Sequence, residues 1–443
     1  MTNPTSFTRR SVLVTGAALA AAPVIGIGRQ REPADSGFPP DFLWGAATAG
    51  HQVEGNNTAS DLWLLENQRP TVFAEPSGDA CNSLMLWPRD LDLARQLGLN
   101  SYRFSIEWAR IEPEPGMFSI AMLDHYKTMI EGCRERGLTP LVTFNHFTAP
   151  RWFAAQGGWT SSAAPDRFAR FCERAARHLG GEIGYAMTLN EPNILPLLRS
   201  LGLPPALWET TRASLSAAAR ASGTERFVAG NVANVEDIDV MLPTLIAGHR
   251  AGRAAIKSVR PDLPVGVTLA IVDDQAVGRD SLRDARRAEL YGAWLEAARG
   301  DDFIGVQNYE RARWDAQGRL PPPPGAKLND MGGEVYAPSL AGAVRYVHEM
   351  TGLPTLVTEH GVGTDDDALR AELIPSALAD LKAAIDDGVP VKGYVHWSLL
   401  DNFEWIFGYK RRFGLVAVDR LTFRRTPKPS AGVLGAIARR NAL

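Results

Sequence analysis

The chain is poor in cysteine, with three thiols among its 443 residues: Cys81, Cys133 and Cys172. An odd number leaves at least one free thiol unless two chains cross-link. No Cys-x-x-Cys motif and no cysteine–histidine cluster has the spacing of a zinc site, so we expect no structural metal. We interpret all three cysteines as small, buried apolar residues.

Blocks of a single charge are also missing. The 47 basic and 50 acidic side chains leave a net charge of −3. No basic run and no basic patch interleaved with aromatic residues appears, which argues against a nucleic acid or an acidic membrane surface as partner. Internal repeats and long low-complexity tracts are absent too. With 45% hydrophobic residues, the chain has ample material for a large globular core.

The N-terminal apolar stretch is short for a membrane span, and glycine and proline interrupt it. It follows the pair Arg9-Arg10 and ends near Ala22. An arginine pair before a modest apolar region and small residues resembles a twin-arginine export signal. We assign 1–30 to this signal and the start of a linker, and 31–37 to the rest of the linker. We expect a periplasmic or secreted protein; a basic leader of another kind and a retained anchor are the alternatives.

From residue 38 onward, eight apolar, β-prone runs alternate with helical stretches. The runs lie at 42–48, 101–106, 139–145, 185–190, 264–270, 302–309, 354–359 and 393–400. Near-continuous apolar runs are typical of parallel strands buried on both faces. The helical stretches end in glycine, a frequent helix stop, as at 90–98, 123–137 and 377–388. This eightfold alternation predicts an α/β fold, a single (β/α)8 TIM barrel over 38–443.

A doubly wound open sheet is the alternative fold. It is less favoured because no glycine-rich dinucleotide or phosphate loop follows the first run. The long interval 191–264 is predicted to be largely helical and to place extra structure on the active face or rim of the barrel. The run PPPPG at 321–325 predicts a stiff surface loop.

Polar residues collect at the predicted C-terminal strand ends, where TIM-barrel enzymes place their catalytic groups. Two of them are acids, Glu191 in TLNEPN and Glu359 in VTEHG. A buried acid costs desolvation and adds nothing to a core, so chemistry is the better explanation for both. The remaining residues suit a neutral ligand rich in hydroxyls, and they are Gln52, Arg103, His146, Asn190, Gln307, Tyr309, Trp397, Glu404 and Trp405. Two carboxylates in this setting fit glycoside hydrolysis.

Several segments, in this order, resemble glycoside hydrolase family 1, the β-glucosidase-type retaining enzymes. They are FLWGAATAGHQVEG, YRFSIEWARIEP, TLNEPN, VTEHG and HWSLLDNFEW with GYKRRFGLVAVD. The resemblance spans nearly all of 38–427 and implies a TIM barrel with Glu191 as acid/base and Glu359 as nucleophile. It implies sugar contacts from Gln52, His146, Asn190, Trp397, Glu404 and Trp405, and we add Gln307 to this set. It also implies that Arg103 and Tyr309 support the nucleophile.

Elementary electrostatics agrees with these implied roles. Arg103 can pair with Glu359 and keep it ionised, and Tyr309 can donate a hydrogen bond to the same carboxylate. Glu191 should then hold its proton, because two close carboxylates resist double ionisation. Glu404 would repel a phosphate and can bridge two sugar hydroxyls, which argues against a 6-phosphosugar substrate.

The chain departs from the family pattern beside the predicted site. Gly50-His51 stands where Ser-Tyr is common, Thr148 where Asp is common, and His360 where Asn is usual. Gln307 and Asn308 differ in the same way from a usual Asn and Tyr. We interpret Glu112 as a solvated charge. A set of aromatic residues is assigned to packing or to the rim of the barrel, with a platform for the leaving group as the alternative: Trp152, Trp208, Trp314 and Phe407.

The sequence therefore predicts an exported, retaining exo-β-glycosidase that cleaves the terminal residue of a small β-glycoside by double displacement. We expect no cofactor and no metal, and the predicted partner is the small-molecule substrate. Two rivals stay open: a transglycosidase with the same site, and a sugar-binding barrel that has lost turnover.

Overall fold

Eight parallel strands close into a barrel in the computed structural model, which describes residues 37–443. The predicted export signal and all but the last residue of the predicted linker lie outside the described residues. The thirteen strands, in chain order, are β1 Leu43–Ala47, β2 Ser101–Ser105, β3 Thr139–Asn145, β4 Tyr185–Asn190, β5 Val265–Ala270, β6 Asp273–Ala276, β7 Ile304–Asn308, β8 Arg311–Trp314, β9 Arg319–Leu320, β10 Thr355–His360, β11 Val391–Trp397, β12 Val416–Val418 and β13 Arg425–Pro427.

The barrel order is β1-β2-β3-β4-β5-β7-β10-β11, and β11 pairs with β1 to close it. The predicted (β/α)8 architecture is therefore confirmed, and each of the eight predicted runs contains or overlaps one barrel strand. The remaining strands form two small sheets, β6-β8-β9 and β12-β13. The sequence analysis missed both of these sheets.

Helices cover the outside of the barrel. They are α1 Gly50–Val53, α2 Asp61–Asn67, α3 Ser83–Gln96, α4 Trp108–Ile111, α5 Ile120–Glu135, α6 Arg151–Ala155, α7 Ala164–Leu179, α8 Ile194–Ser200, α9 Pro205–Ser222, α10 Val235–Val259, α11 Arg283–Arg287, α12 Ala293–Ala297, α13 Ser339–Thr351, α14 Asp367–Asp386 and α15 Pro429–Arg440. The predicted terminal glycines Gly98, Gly137 and Gly388 all have positive φ, as a helix stop requires.

Two apolar layers hold this architecture together. Inside the barrel, side chains including Leu141, Met187, Leu356 and Val395 pack on one another. The larger layer lies between the outer faces of the strands and the helices, where all three cysteines are buried with free thiols, as expected. Each barrel strand is largely buried on both faces, and β4 and β10 carry predicted site residues at their C-terminal ends.

The interval between β4 and β5 is helical, as predicted, and consists of α8, α9 and α10. Residues 321–325 form no helix or strand and lie on the surface, which fits the predicted loop. Within residues 37–443, no helix is long and apolar enough to cross a membrane. The same described range contains no group of three or more His, Cys, Asp or Glu side chains arranged to hold a metal ion.

Candidate active site

The two predicted catalytic acids lie at the C-terminal ends of barrel strands. Glu359 is the penultimate residue of β10, and Glu191 directly follows β4. The backbone N–H of Glu191 donates to the carbonyl of Thr268 in β5 at 2.9 Å, and its φ is +41°. This left-handed conformation turns the chain sharply out of the strand. Both carboxyl groups are buried, so their charge states depend on their immediate neighbours.

Glu359 has two strong hydrogen-bond donors. Arg103 Nη1 donates to Oε1 at 2.5 Å, and the Tyr309 hydroxyl donates to Oε2 at 2.6 Å. Burial raises the pKa of Glu359, whereas the Arg103 charge and the Tyr309 hydrogen bond lower it again. Because both donors favour the ionised form, we assign the negative charge of the site to Glu359.

Glu191 lacks a comparable donor among the described side chains. Burial raises its pKa well above the usual value, the nearby charge of Glu359 raises it further, and Arg103 only partly opposes this. A carboxyl group in this environment keeps its proton at neutral pH. The pair therefore consists of one proton donor and one anion, which is the division of labour that general acid catalysis beside a nucleophile requires.

Arg103 and Gln307 both hold the side chain of Asn190. Arg103 Nη2 donates to Asn190 Oδ1 at 2.5 Å, and Gln307 Nε2 donates to the same oxygen at 2.8 Å. Within residues 37–443, the amide nitrogen of Asn190 has no hydrogen-bond partner, so it remains free to donate to a ligand. Gln307 thus lies behind Asn190, and its contact with a ligand stays a prediction.

Gln52 and Glu404 form the opposite wall. Gln52 Nε2 donates to the Phe403 carbonyl at 2.7 Å and to Glu404 Oε2 at 3.2 Å. Burial raises the pKa of Glu404 to about 8, and the charge of Glu359 adds to this shift. Two buried acceptors of this wall, Gln52 Oε1 and His146 Nδ1, have no hydrogen-bond partner among the described residues. Buried polar atoms without partners are costly, which indicates that a ligand's hydroxyl groups complete them.

Aromatic rings line the same space. The imidazole of His146 stacks on Trp397 at 5.6 Å and on Trp405 at 6.0 Å between ring centroids. Burial lowers the pKa of His146 well below its usual value, so the ring is neutral and can both donate and accept. Indole faces beside neutral hydrogen-bonding groups suit the C–H and O–H faces of a sugar ring. All eleven predicted site residues thus lie at one end of the barrel.

Comparisons with known proteins support the same conclusion. The model of glycosyl hydrolase family 1 matches residues 34–223 and 319–443. The chain belongs to this family. It is therefore a glycoside hydrolase. A β-glucosidase from Agrobacterium sp. is 31% identical, and the match covers 90% of this chain and 95% of the relative.

Two solved structures superpose on 90% or more of this chain. The crystal structure of beta-glycosidase BGL167 superposes with a TM-score of 0.86 at 47% sequence identity. The match covers 92% of this chain and 98% of the BGL167 chain. The apo structure of a beta-glucosidase 1317 has the same TM-score at 43% identity, with coverages of 90% and 98%. The family model leaves out residues 224–318, although they supply the barrel strands β5 and β7 of this family 1 member.

A buried polar cluster that the sequence did not reveal lies directly beside the loops that carry the predicted sugar contacts of this family 1 enzyme. It comprises His51, Glu54, Asn57, Asp61, Glu66, Glu107, Arg110, Tyr126 and Thr148. One sequence signal was available: Glu107 interrupts the apolar run of FSIEWA, and Glu54 directly follows a run of buried residues. Glu107 directly follows the second predicted strand, and Glu54 lies two residues after Gln52, so both acids were close to positions that had been assigned to the site.

The structure corrects one further interpretation and places several residues. Glu112, predicted to be a solvated charge, is fully buried, because Trp108 Nε1 and the N–H of Gly116 donate to it at 2.8 and 2.7 Å and Arg170 pairs with it. Asn308 donates to the backbone carbonyls of Ile271 and Glu310 and is structural. The aromatic residues assigned to packing or rim positions behave as expected: Trp152 and Trp314 are buried, Trp208 packs on the core, and Phe407 is exposed.

Proposed function

We propose that the protein is an exo-acting, retaining β-glycosidase of the β-glucosidase type, which removes the terminal β-glycosyl residue of a small glycoside. One observation carries this proposal: of two buried carboxyl groups at the barrel mouth, only Glu359 receives hydrogen bonds from an arginine and a tyrosine. The relatives named β-glucosidase support the same activity.

In the first step, a Glu359 oxygen attacks the anomeric carbon while the bond to the leaving oxygen breaks. Glu191 transfers its proton to that oxygen, so the aglycone departs as a neutral alcohol or phenol. The product is a glycosyl ester of Glu359. Because the ester carries no charge, the repulsion that raised the pKa of Glu191 disappears, and Glu191 can act as a base.

In the second step, Glu191 takes a proton from water as the water oxygen attacks the anomeric carbon. The ester bond breaks, Glu359 regains its negative charge, and the sugar leaves with the β configuration retained. Arg103 and Tyr309 keep their bonds to the carboxylate before and after each cycle, so the leaving carboxylate returns to a prepared environment.

The sugar ring is held by groups that a hydroxylated ligand would complete. The unpartnered acceptors of Gln52 and His146, the free amide nitrogen of Asn190 and the carboxyl of Glu404 supply hydrogen bonds, and Trp397 and Trp405 supply apolar faces. Gln307 orients Asn190. The acid at position 404 favours a neutral sugar over a phosphorylated one.

The test is hydrolysis of aryl β-glycosides with gluco, galacto, fuco, xylo and 6-phosphogluco configuration by the full chain. Glu191→Gln and Glu359→Gln are assayed beside the wild type, and proton NMR records the anomer released first. We expect activity on neutral sugars, loss in both variants and initial release of the β anomer. Release of the α anomer would contradict the retaining mechanism.

Neither rival activity is favoured by a specific contact. A transglycosidase would show glycosides of an added alcohol as the main product at low alcohol concentration. A sugar-binding protein without turnover would bind glucose equally well after Glu359→Gln and would hydrolyse no member of the panel. Each result would replace the hydrolase proposal.

We also propose export through the twin-arginine route, on the strength of Arg9-Arg10 ahead of a modest apolar stretch. The double variant Arg9→Lys/Arg10→Lys should retain the protein in the cytoplasm of a host that exports the wild type. Activity in cell fractions measures the distribution, and unchanged export of the double variant would argue against this route.

A further inference from the structure

Three departures from the usual family residues meet at one buried carboxylate, Glu107. The backbone N–H of His51 donates to Glu107 Oε1 at 3.1 Å, and the Thr148 hydroxyl donates to Oε2 at 2.8 Å. A Cβ on Gly50 would lie 2.6 Å from both Cγ and Oε1 of Glu107, so no larger residue fits there without movement. The three positions thus share Glu107 as a neighbour, Thr148 through its side chain, His51 through its backbone N–H and Gly50 through the space it leaves.

Glu107 connects two segments that carry residues predicted to contact the sugar. His51 precedes Gln52 in α1, and Thr148 follows two residues after His146. The carboxylate therefore joins the turn that presents Gln52 to the loop that presents His146. Asn57 Nδ2 donates to Oε2 at 2.7 Å, and the Ser105 hydroxyl makes a longer contact of 3.5 Å with Oε1. Because Glu107 is fully buried, these bonds are made in a low-dielectric environment and fix both segments firmly.

The ring of His51 extends this connection to Trp405, a third residue predicted to contact the sugar. It lies parallel to the indole of Trp405, with an interplanar angle of 3° and ring centroids 6.0 Å apart. His51 Nε2 lies 3.5 Å from Glu66 Oε2, and both side chains are inaccessible to solvent. The two atoms are at ion-pair distance without a hydrogen bond between them. A protonated imidazole that lies parallel to an indole supports the indole through a cation–π contact.

We propose that Glu107 and His51 are positioning residues of the sugar site. Glu107 fixes the segments that carry Gln52 and His146 relative to each other, and His51 supports the indole of Trp405. This inference rests on the proposed function only for the identity of the ligand. The positioning itself follows from contacts that involve no substrate.

The charged groups around His51 make the contact between His51 and Trp405 dependent on pH. The carboxyl groups facing it are Glu54, Asp61, Glu66 and Glu107, and Arg110 is the cation that opposes them. Burial lowers the pKa of His51, but Glu66, Glu107 and Asp61 raise it above its usual value. The His51 ring therefore keeps its proton to a higher pH than an ordinary imidazole does. It loses that proton as the pH rises, so its support of Trp405 weakens on the alkaline side.

The chain contains a matched control for Glu107. Glu107 directly precedes the short helix α4, and Glu112 directly follows it. Both are fully buried acids with several hydrogen-bond donors, but the donors of Glu112 are Trp108, Gly116 and Arg170, none of which carries a sugar ligand. A purely structural role predicts the same behaviour for Glu107→Gln and Glu112→Gln.

The test measures glucose binding by calorimetry and KM and kcat for 4-nitrophenyl β-D-glucoside, with Tm recorded for every variant. We expect Glu107→Gln to weaken glucose binding and to raise KM by about tenfold with a smaller change in kcat, whereas Glu112→Gln leaves glucose affinity unchanged. His51→Gln should weaken glucose binding at neutral pH and abolish the alkaline loss of affinity that we expect in the wild type.

A second variant tests the geometry independently. Thr148→Asp alone places two carboxylates in contact and should weaken glucose binding, but Thr148→Asp combined with Glu107→Ala should bind glucose better than Glu107→Ala alone. Equal Tm losses in Glu107→Gln and Glu112→Gln, with glucose affinity within twofold of wild type in both, would overturn the proposal. Absence of turnover in the wild type would count against the proposed function only, because glucose binding reports the positioning role separately.

Discussion

Two hydrogen-bond donors, Arg103 and Tyr309, distinguish the environment of Glu359 from that of Glu191. Tyr309 donates to Glu359 at 2.6 Å and lowers its pKa, and no described side chain does the same for Glu191. Tyr309→Phe removes a hydrogen bond to a charged group without changing the ring, which packs edge-on against Phe413. We expect kcat to fall about 10- to 100-fold, since such bonds are worth about 1.5–3 kcal/mol.

The same variant should change the pH profile in a defined direction. Without its hydroxyl donor, Glu359 has a higher pKa and becomes ionised only at higher pH. The acidic limb of kcat/KM should therefore move upward, whereas the alkaline limb stays nearly in place. An acidic limb that stays at the wild-type pH would show that Arg103 alone keeps Glu359 ionised.

The proton of Glu191 matters only when the leaving group needs it. Glu191→Ala should slow hydrolysis of alkyl glucosides by about 10²- to 10⁴-fold, the usual contribution of a general acid. For 2,4-dinitrophenyl β-glucoside, whose leaving group departs as a stable anion, formation of the Glu359 ester should stay fast and a burst should appear. Added azide should then enter the vacated space and release β-glucosyl azide.

These outcomes are measured by stopped-flow absorbance and by product NMR. Glu191→Gln serves as the control, because its amide fills the space that azide needs. If Glu191→Ala slowed alkyl and dinitrophenyl glucosides by the same factor, Glu191 would not be the acid.

At the scale of elements, two glycines of helix α10 allow the helix to pack closely against Trp159 and Phe168. A Cβ on Gly248 would lie 2.5 Å from Cζ3 of the buried Trp159, and one on Gly252 would lie 2.8 Å from Cε1 of Phe168. Gly248→Ala therefore forces the indole to shift, and overpacking of this kind costs about 1–3 kcal/mol. We expect Tm to fall by a few degrees.

Gly292→Ala is the matched control for this change. The residue has helical φ and ψ, and nothing lies within 4 Å of the added Cβ. The same substitution should there stabilise the protein by about 0.5–1 kcal/mol. Thermal unfolding of both variants distinguishes overpacking against Trp159 from the effect of helix propensity. A lower Tm in both would show that the backbone conformation, not Trp159, causes the loss of stability.

The elements also show where sequence patterns are sufficient. Apolar runs buried on both faces predicted the barrel strands because burial alone determines their composition. The small sheet β6-β8-β9 was missed, since strands of two to four residues carry no readable alternation. Helix α3 begins at Ser83, seven residues before the predicted start, and it continues through Pro88 at the cost of one hydrogen bond.

The same contrast holds for the site. Glu191 and Glu359 were predictable because the barrel brings all strand ends together. The positions of Glu107, His51 and Glu112 were not, since an acid can be buried only when distant segments supply donors, and no local pattern reveals those donors. Glu112 shows this directly: one of its partners, Arg170, is 58 residues away in the sequence.

At the scale of the whole molecule, the buried acids that prepare the site oppose stability at neutral pH. Burial raises the pKa of Glu404 to about 8 and of Asp61 to about 7, and the pKa of Glu191 lies well above its usual value. Between pH 5 and 8 the native state retains protons that the unfolded chain releases, so stability falls by up to about 1.4 kcal/mol per pH unit for each such group. These acids by themselves lower Tm from pH 5 to pH 8, whereas the buried His146, His360 and His396, whose pKa values are lowered, act in the opposite direction in the acidic part of this range.

Glu404→Gln should reduce this decline, because the amide cannot lose a proton in either state. The gain in Tm over the wild type should be small at pH 5 and larger at pH 8, and calorimetric scans at both values measure it. Glu209→Gln, on the exposed surface of α9, controls for the loss of a charge and should follow the wild-type decline. Parallel declines in the wild type and Glu404→Gln would mean that Glu404 ionises in the native state as readily as in the unfolded chain. In that case the carboxyl group of Glu404 would be ionised before a sugar binds, and its preference for a neutral ligand would be stronger still.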